Sequence, residues 1–229
     1  MKMSVVVPAH NEEERIAAAI EALLAQEHPD FEIIVVDNAS SDRTTEIAST
    51  YPVTVVREDR KGTMWACEAG RQAATGDVVV RMDADCVPAK DWLVRGEAHF
   101  ANPEVVAVTG PYDYVDAHPV FRAATTFIQK VFYRLSHHVT HRVLKQGGLL
   151  VGGNSFMRAS ALHAAGGFNT EIVFYGDDTD TAKRLSTQGR IIFDPRHSVP
   201  SSARRFQREG ILQVAWQYFK GFFLHSFVK

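Results

Sequence analysis

Asp83 and Asp85 stand one residue apart, directly after the run Val78-Val79-Val80-Arg81-Met82. Two acids at this spacing repel each other unless a cation or a donor-rich ligand lies between them. Hard oxygen ligands that leave room for water and phosphate suit Mg2+ or Mn2+. The same pair also suits a solvated turn after a strand. A second acidic group, Asp177, Asp178 and Asp180, follows Gly176 and precedes Arg184-Leu185. Acids there complement a helix N-terminus, and a carboxylate is also the natural general base for a hydroxyl that must lose its proton. The paired arginines Arg204-Arg205 carry the forked donors that grip a diphosphate, and they would equally suit anionic lipid. His197 is a lone histidine, more often a hydrogen-bonded surface residue than a ligand.

The elements around these residues alternate. Ser4-Val5-Val6-Val7 reads as a short strand stopped by Pro8, and Asn11 is expected to cap a helix beginning Glu12-Glu13-Glu14. Residues 31–36 form a second β-branched run that ends in Asp37-Asn38, and Ser41 or Asp42 is expected to start the next helix. Val53-Thr54-Val55-Val56 is a third strand, and a helix runs from Gly62 to Ala74 before Gly76-Asp77 turns into the strand bearing the acidic pair. Such a β-α-β-α-β-α-β order predicts right-handed crossovers and a mainly parallel sheet. In such a sheet ligands gather outside the carboxyl ends of the strands, where Pro8 to Asn11, Asp37, Asp83 and Asp85 fall. Lys61 and Gly62 precede the third helix, so Lys61 could reach a diphosphate and Gly62 would let the backbone come close; a solvated loop is the plainer alternative for Arg60 and Lys61. Residues 8–13 read Pro-Ala-His-Asn-Glu-Glu, which excludes the G-x-G-x-x-G dinucleotide fingerprint, and no P-loop motif is present.

The segments Val-Val-Val-Pro-Ala-His-Asn-Glu-Glu, Val-Asp-Asn-Ala-Ser-Ser-Asp-Arg-Thr and Asp83-Ala84-Asp85 resemble the inverting family 2 glycosyltransferases with the GT-A fold. Gly152-Gly153-Asn154-Ser155-Phe156-Met157-Arg158, Gly166-Gly167-Phe168 and Gly176-Asp177-Asp178-Thr179-Asp180 extend the resemblance, in matching order, over roughly residues 3–195. It implies a metal-dependent transfer of sugar from a nucleotide-diphosphate-sugar to an acceptor hydroxyl, with Mn2+ or Mg2+ as cofactor. By that resemblance Asp85 holds the metal, while Asp83 contacts the ribose or orients the metal. Pro8, Ala9, Glu12 and Asp37 match the nucleoside pocket, and Gly153 and Asn154 belong to the donor-binding set. Asp178 matches the general base, and Asp177 replaces the usual glutamate beside it. His197 lies in the region from which some GT-A enzymes draw a third metal ligand. Ser202-Ala203-Arg204-Arg205 stands where processive relatives carry Gln-x-x-Arg-Trp, which argues for addition of a single sugar.

The resemblance places a GT-A domain at residues 1–197, with a basic, aromatic helical insertion at 118–147 and an amphipathic tail at 198–229. The net charge of −2 argues against a general nucleic-acid binder. It conceals five Lys/Arg and no acid in residues 117–150, and six Lys/Arg against Glu209 in residues 196–229. Phe121, Phe127, Ile128, Val131, Phe132 and Leu135 form an apolar stripe edged by Arg122, Lys130 and Arg134. Trp216, Phe219, Phe222 and Phe223 make the tail similar. Such segments fit a membrane surface, a partner subunit or the protein's own domain. Together they favour a glycan or lipid-linked acceptor. His137, His138 and His141 have helical spacing but lack the glutamate of H-E-x-x-H. Two lone cysteines, Cys67 and Cys86, and a first strand starting at Met3 predict a cytoplasmic setting, with contact at the inner face of the membrane. No stretch of eighteen residues is free of polar side chains. Two other classes compete. A nucleotidyltransferase would want a Gly-rich basic loop after the first strand, where this chain is acidic; a non-catalytic GT-A module for binding or scaffolding would be expected to lose Asp85 or Asp178.

Overall fold

Strands buried on both faces need apolar side chains at most positions, and the runs at residues 3–9, 31–37 and 78–82 supply them. In the computed structural model, which describes residues 1–135, 150–172, 176–211, 213–214 and 216–217, these become β1 (Met3–Ala9), β2 (Phe31–Asp37) and β4 (Val78–Met82). With β3 (Thr54–Arg57), β5 (Val105–Thr109), β7 (Asn154–Arg158) and β8 (Arg190–Phe193) they form one seven-stranded sheet in the order β3-β2-β1-β4-β7-β5-β8. Pairing is parallel except at β7, which runs antiparallel to both β4 and β5. The strand order reverses beside β1, which lies between β2 and β4, so the crevice at the carboxyl ends of β1 and β4 is the place for a ligand.

The two-residue period of the strands sorts their side chains into two cores. Val5, Val7, Val78 and Val80 pack with Ile16, Ile20 and Leu23 of α1 (Ile16–Leu24) and with Trp92 and Leu93 of α4 (Trp92–Ala98). Val6, Ile34 and Val79 face Met64 and Cys67 of α3 (Thr63–Ala73) and Leu162 of α6 (Ala159–Ala164) on the other side. Each buried valine or isoleucine contributes about 1.5–3 kcal/mol. Gly70 of α3 meets β1 so closely that a Cβ there would lie 2.2 Å from Val6 Cγ1. Arg81 shares the face of Val79, a buried charge inside an apolar strand.

The elements expected from the sequence are present, with three corrections. The first helix starts at Ile16, four residues later than the run of glutamates suggested, and Asn11 does not cap it. Asn11 takes a left-handed backbone (φ 55°), and its Oδ1 accepts from the Ser41 amide at 2.8 Å, joining the β1 loop to the start of α2 (Thr44–Ala48). The second helix does begin near Asp42, whose Oδ1 accepts from the Thr44 amide. The boundary drawn after residue 197 falls inside a structural layer, since β9 (Val199–Ser201) pairs in parallel with β6 (Tyr112–Tyr114). From β6 the chain enters α5 (Pro119–Ile128) and a wide π-helical turn, Gln129–Tyr133. His137, His138, His141 and most of the aromatic tail lie outside the described residues.

Candidate active site

Strand β4 ends in Met82, and the next three residues turn outward at the mouth of the crevice. Asp83 is held by Tyr112, whose hydroxyl donates to Oδ2 at 2.7 Å and accepts from the Gly153 amide at 2.8 Å. Gly153 is required there, because a Cβ would lie 2.2 Å from the Asp83 carboxyl carbon. Asp85 receives the Ser201 hydroxyl at 3.3 Å and faces Arg204 Nε at 3.4 Å. Burial, reinforced by the Asp83 charge, pushes the Asp85 carboxyl up to about 6. A buried carboxylate beside a second acid suits a divalent cation. No group of three metal-ligating side chains is gathered among the described residues; Mg2+-type sites commonly use one or two carboxylates and complete the shell with water and phosphate. The residues present therefore fit Mn2+ or Mg2+.

Pro8, Ala9 and Glu12 line the same cavity, whose volume is about 780 Å3. Glu12 is buried at the end of the β1 loop, where its amide donates to Thr44 Oγ1 at 2.8 Å and its carboxylate pairs with Arg204. Asp37 lies at the tip of β2 in register with Ala9, buried just behind the cavity wall. Its neighbour Asn38 lines the wall and also ties the loop ahead of α3, donating to the Glu58 and Arg60 carbonyls at 3.0 and 2.8 Å and accepting from the Gly62 amide at 2.8 Å. That clamp fixes Gly62, whose φ of 139° favours glycine. Lys61 is exposed and does not line the cavity, while Arg60 is drawn away over the Trp65 ring and onto Glu58.

On the far wall Gly176, left-handed at φ 108°, starts α7 (Asp177–Leu185). Arg81 reaches across from β4 and donates through Nη1 to Asp177 at 3.0 Å and to Asp178 at 3.1 Å. The Gly152 amide donates to the second Asp178 oxygen at 3.0 Å. Burial and the adjacent Asp177 charge push the Asp178 carboxyl well up from its ordinary range, with Arg81 opposing them. The Asp177 side chain is nearly enclosed, whereas that of Asp178 keeps 30% of its surface on the cleft. Asp180 is structural, paired with Arg184 at 2.8 Å, and Arg184 also donates to the Ala165 and Gly167 carbonyls.

The family model described as glycosyl transferase family 2 matches residues 4–166, which include β1 to β7 and both acids of the pair. The chain belongs to glycosyl transferase family 2. As a family 2 glycosyltransferase it is 30% identical over 120 residues to glycosyltransferase AglE of Haloferax volcanii, a match covering 49% of this chain and 40% of that protein. It is 42% identical over 91 residues to a dolichol-phosphate mannosyltransferase of Pyrococcus furiosus, covering 37% of this chain and 26% of that one. The chain thus spans less than half the length of these curated relatives. Among solved structures, the mannosyltransferase PcManGT from Pyrobaculum calidifontis, in complex with GDP-Man and Mn2+, superposes with a TM-score of 0.70 at 25% identity. That match covers 96% of this chain and 63% of the other. Glucosyl-3-phosphoglycerate synthase from Mycobacterium tuberculosis shares the fold at a TM-score of 0.63 and 21% identity, over 95% of this chain and 78% of that one. The GT-A architecture follows from these matches and from the seven-stranded sheet.

Within this family 2 site, Asn154 and His197, like Asp37 and Lys61, do not line the cavity. Asn154 is fully buried, accepting from Trp92 Nε1 at 3.0 Å and donating to the His197 carbonyl at 2.7 Å. The His197 ring stacks on Trp92 at 6.0 Å, sits edge-on to Phe156, is 1% exposed and does not line the cavity. Ser201 and Arg204, four and seven residues further on, approach Asp85 instead. Arg204 and Arg205 both reach the cavity lining. Sequence reasoning gave no role to Arg81, Tyr112, Asn38 or Ser201. Arg81 did carry a signal, since a charge inside an apolar strand must find buried partners.

Proposed function

We propose that the protein is a metal-dependent, inverting glycosyltransferase that moves one sugar from a nucleotide-diphosphate-sugar to an acceptor hydroxyl. The observation that carries this reading is that Asp83 and Asp85 line one cavity with Asp178, which lies more than ninety residues further along the chain. In this reading Glu12 faces the nucleoside and Pro8 and Ala9 form its floor, with Asp37 behind that wall in register with Ala9. Asp85, with Asp83, holds Mn2+ or Mg2+. When bound, such a cation neutralises charge building on the leaving diphosphate. Arg204 and Arg205 offer forked donors to the same phosphates. The acceptor hydroxyl gives its proton to Asp178 while its oxygen attacks the anomeric carbon, and the bond to the diphosphate breaks on the opposite face. Arg81 and the Gly152 amide fix the direction in which Asp178 presents its lone pairs. Asp177 shares Arg81 and keeps that guanidinium in place.

The acceptor side of the cavity is aromatic, with Tyr112, Tyr114, Phe121, Phe132 and Tyr133 on its wall. Phe127, Ile128 and Leu135 continue it outward as an exposed stripe beside Lys130 and Arg134. This favours a lipid-linked or glycan acceptor and a contact at the cytoplasmic face of a membrane; among the described residues no helix is long and apolar enough to cross one. The test is hydrolysis and transfer from UDP-, GDP- and dTDP-sugars with Mn2+ or Mg2+, in wild type and Asp178→Asn. Turnover in the wild type should fall about a thousandfold or more in Asp178→Asn, with donor binding retained. Equal turnover in the two proteins would remove Asp178 as the base, and no binding of any donor would favour a scaffolding role.

A further inference from the structure

Arg204 does more than wait for a diphosphate. It opens α8 (Arg204–Glu209), three residues beyond the last strand, β9, and its guanidinium bridges two acids that follow neighbouring strands of the sheet. One is Glu12, from the loop after β1; the other is Asp85, from the turn after β4. Its backbone is anchored: the Ala203 amide donates to Asp116 Oδ1 at 2.7 Å, the Ser202 hydroxyl to Asp116 Oδ2 at 2.6 Å, and Phe206 packs on Tyr114 and Phe121. Only the side chain is free to swing, and about 29% of it is exposed. The second Glu12 oxygen, Oε2, is buried with no hydrogen-bond partner among the described residues, so the pairing with Arg204 does not satisfy this acid fully.

We propose that Arg204 is the internal counter-ion of the cation site: it holds Asp85 and Glu12 until the divalent cation takes Asp85, and then passes to the donor's diphosphate. This rests on the donor reading above. A guanidinium and a divalent cation beside one carboxylate repel each other, so each must weaken the other unless the arginine has somewhere else to go. The incoming diphosphate is that place, being a planar-fork acceptor of opposite charge. Cation and nucleotide would then be linked through Arg204, each raising the other's affinity reciprocally. The design keeps the bare carboxylates from collecting a cation that arrives without donor.

The experiment is Mn2+ binding by electron paramagnetic resonance, and UDP and GDP binding by calorimetry, in wild type, Arg204→Ala and Arg204→Lys, with circular dichroism to verify folding. Arg204→Ala should bind Mn2+ alone about tenfold more tightly than wild type, as expected when a competing charge is removed. It should bind UDP or GDP in the presence of Mn2+ about tenfold more weakly, since the fork is lost. Arg204→Lys should keep the weak Mn2+ binding while losing part of the nucleotide affinity. Unchanged or weaker Mn2+ binding by folded Arg204→Ala, with UDP or GDP still bound by wild type, overturns the proposal and leaves the donor reading standing. A gain in Mn2+ affinity with neither nucleotide bound by wild type overturns the donor reading and leaves the counter-ion role standing.

Discussion

Arg81 is the residue on which the acceptor half of the site turns. It lies buried on β4, inside the seven-stranded sheet, and pairs with two carboxylates at once, Asp177 and Asp178. Removing one member of a buried ion cluster strands the others, at a typical cost of about 3–5 kcal/mol, far more than the intact cluster contributes. Arg81→Met should therefore lower unfolding free energy by that order in urea titrations. Adding Asp177→Asn in the same chain returns the cluster to its original net charge and should recover a substantial part of the loss. If Arg81→Met alone is as stable as wild type, the cluster is not buried as described. Asn38 works in a similar way for the donor half, since one amide organises three backbone groups of the loop before α3.

At the scale of elements, the site depends on how closely helices and loops approach the sheet. Gly70 lets α3 lie against β1, with only 2.2 Å between a hypothetical Cβ and Val6. Gly70→Ala should cost about 1–3 kcal/mol by overpacking, read as a lowered melting temperature; a neighbouring Val6→Ala should relieve much of it. An additive double mutant would show that the helix yields instead. The half of the fold up to Asp85 was legible because buried parallel strands leave unbroken β-branched runs, and the acidic pair falls where such a run stops. The later half was less so. Strands β6 and β9 have three residues each, too few for a period to show. Asn154 and His197 sit in motif-like surroundings, yet the structure turns both inward, where backbone carbonyls and aromatic rings receive them. No polarity pattern separates a polar residue folded inward from one that faces a ligand. In the Asp177–Asp180 cluster, Asp180 serves an i,i+4 partner rather than a cap, and Asp178 lines the cleft.

For the molecule as a whole, His197 links stability to acidity. Burial, aided by the nearby Arg95 charge, lowers its imidazole from the ordinary value of 6.5 to about 3. The unfolded chain takes up a proton below about 6.5 that the folded chain refuses until near 3. Stability from this group is therefore complete above 6.5 and declines as pH falls through that window, by at most about 1.4 kcal/mol per pH unit. Chemical denaturation from pH 7 to 4 should show this slope in wild type and a flatter one in His197→Phe, whose ring can still stack on Trp92. Parallel curves for the two proteins would mean that the imidazole is protonated in place.

Both halves of the chemistry hang from a single rod. Strand β4 carries Asp83 and Asp85 at its tip and Arg81 one pleat earlier, gripping the far wall. Neighbouring strands brace that rod on both sides. In the proposed reaction, movements of the outer layers would alter the entrance more than the span from Asp85 to Asp178, which Arg81 ties to the same strand. Evolution could in this way rebuild the rim for new acceptors without retuning the reaction at its centre.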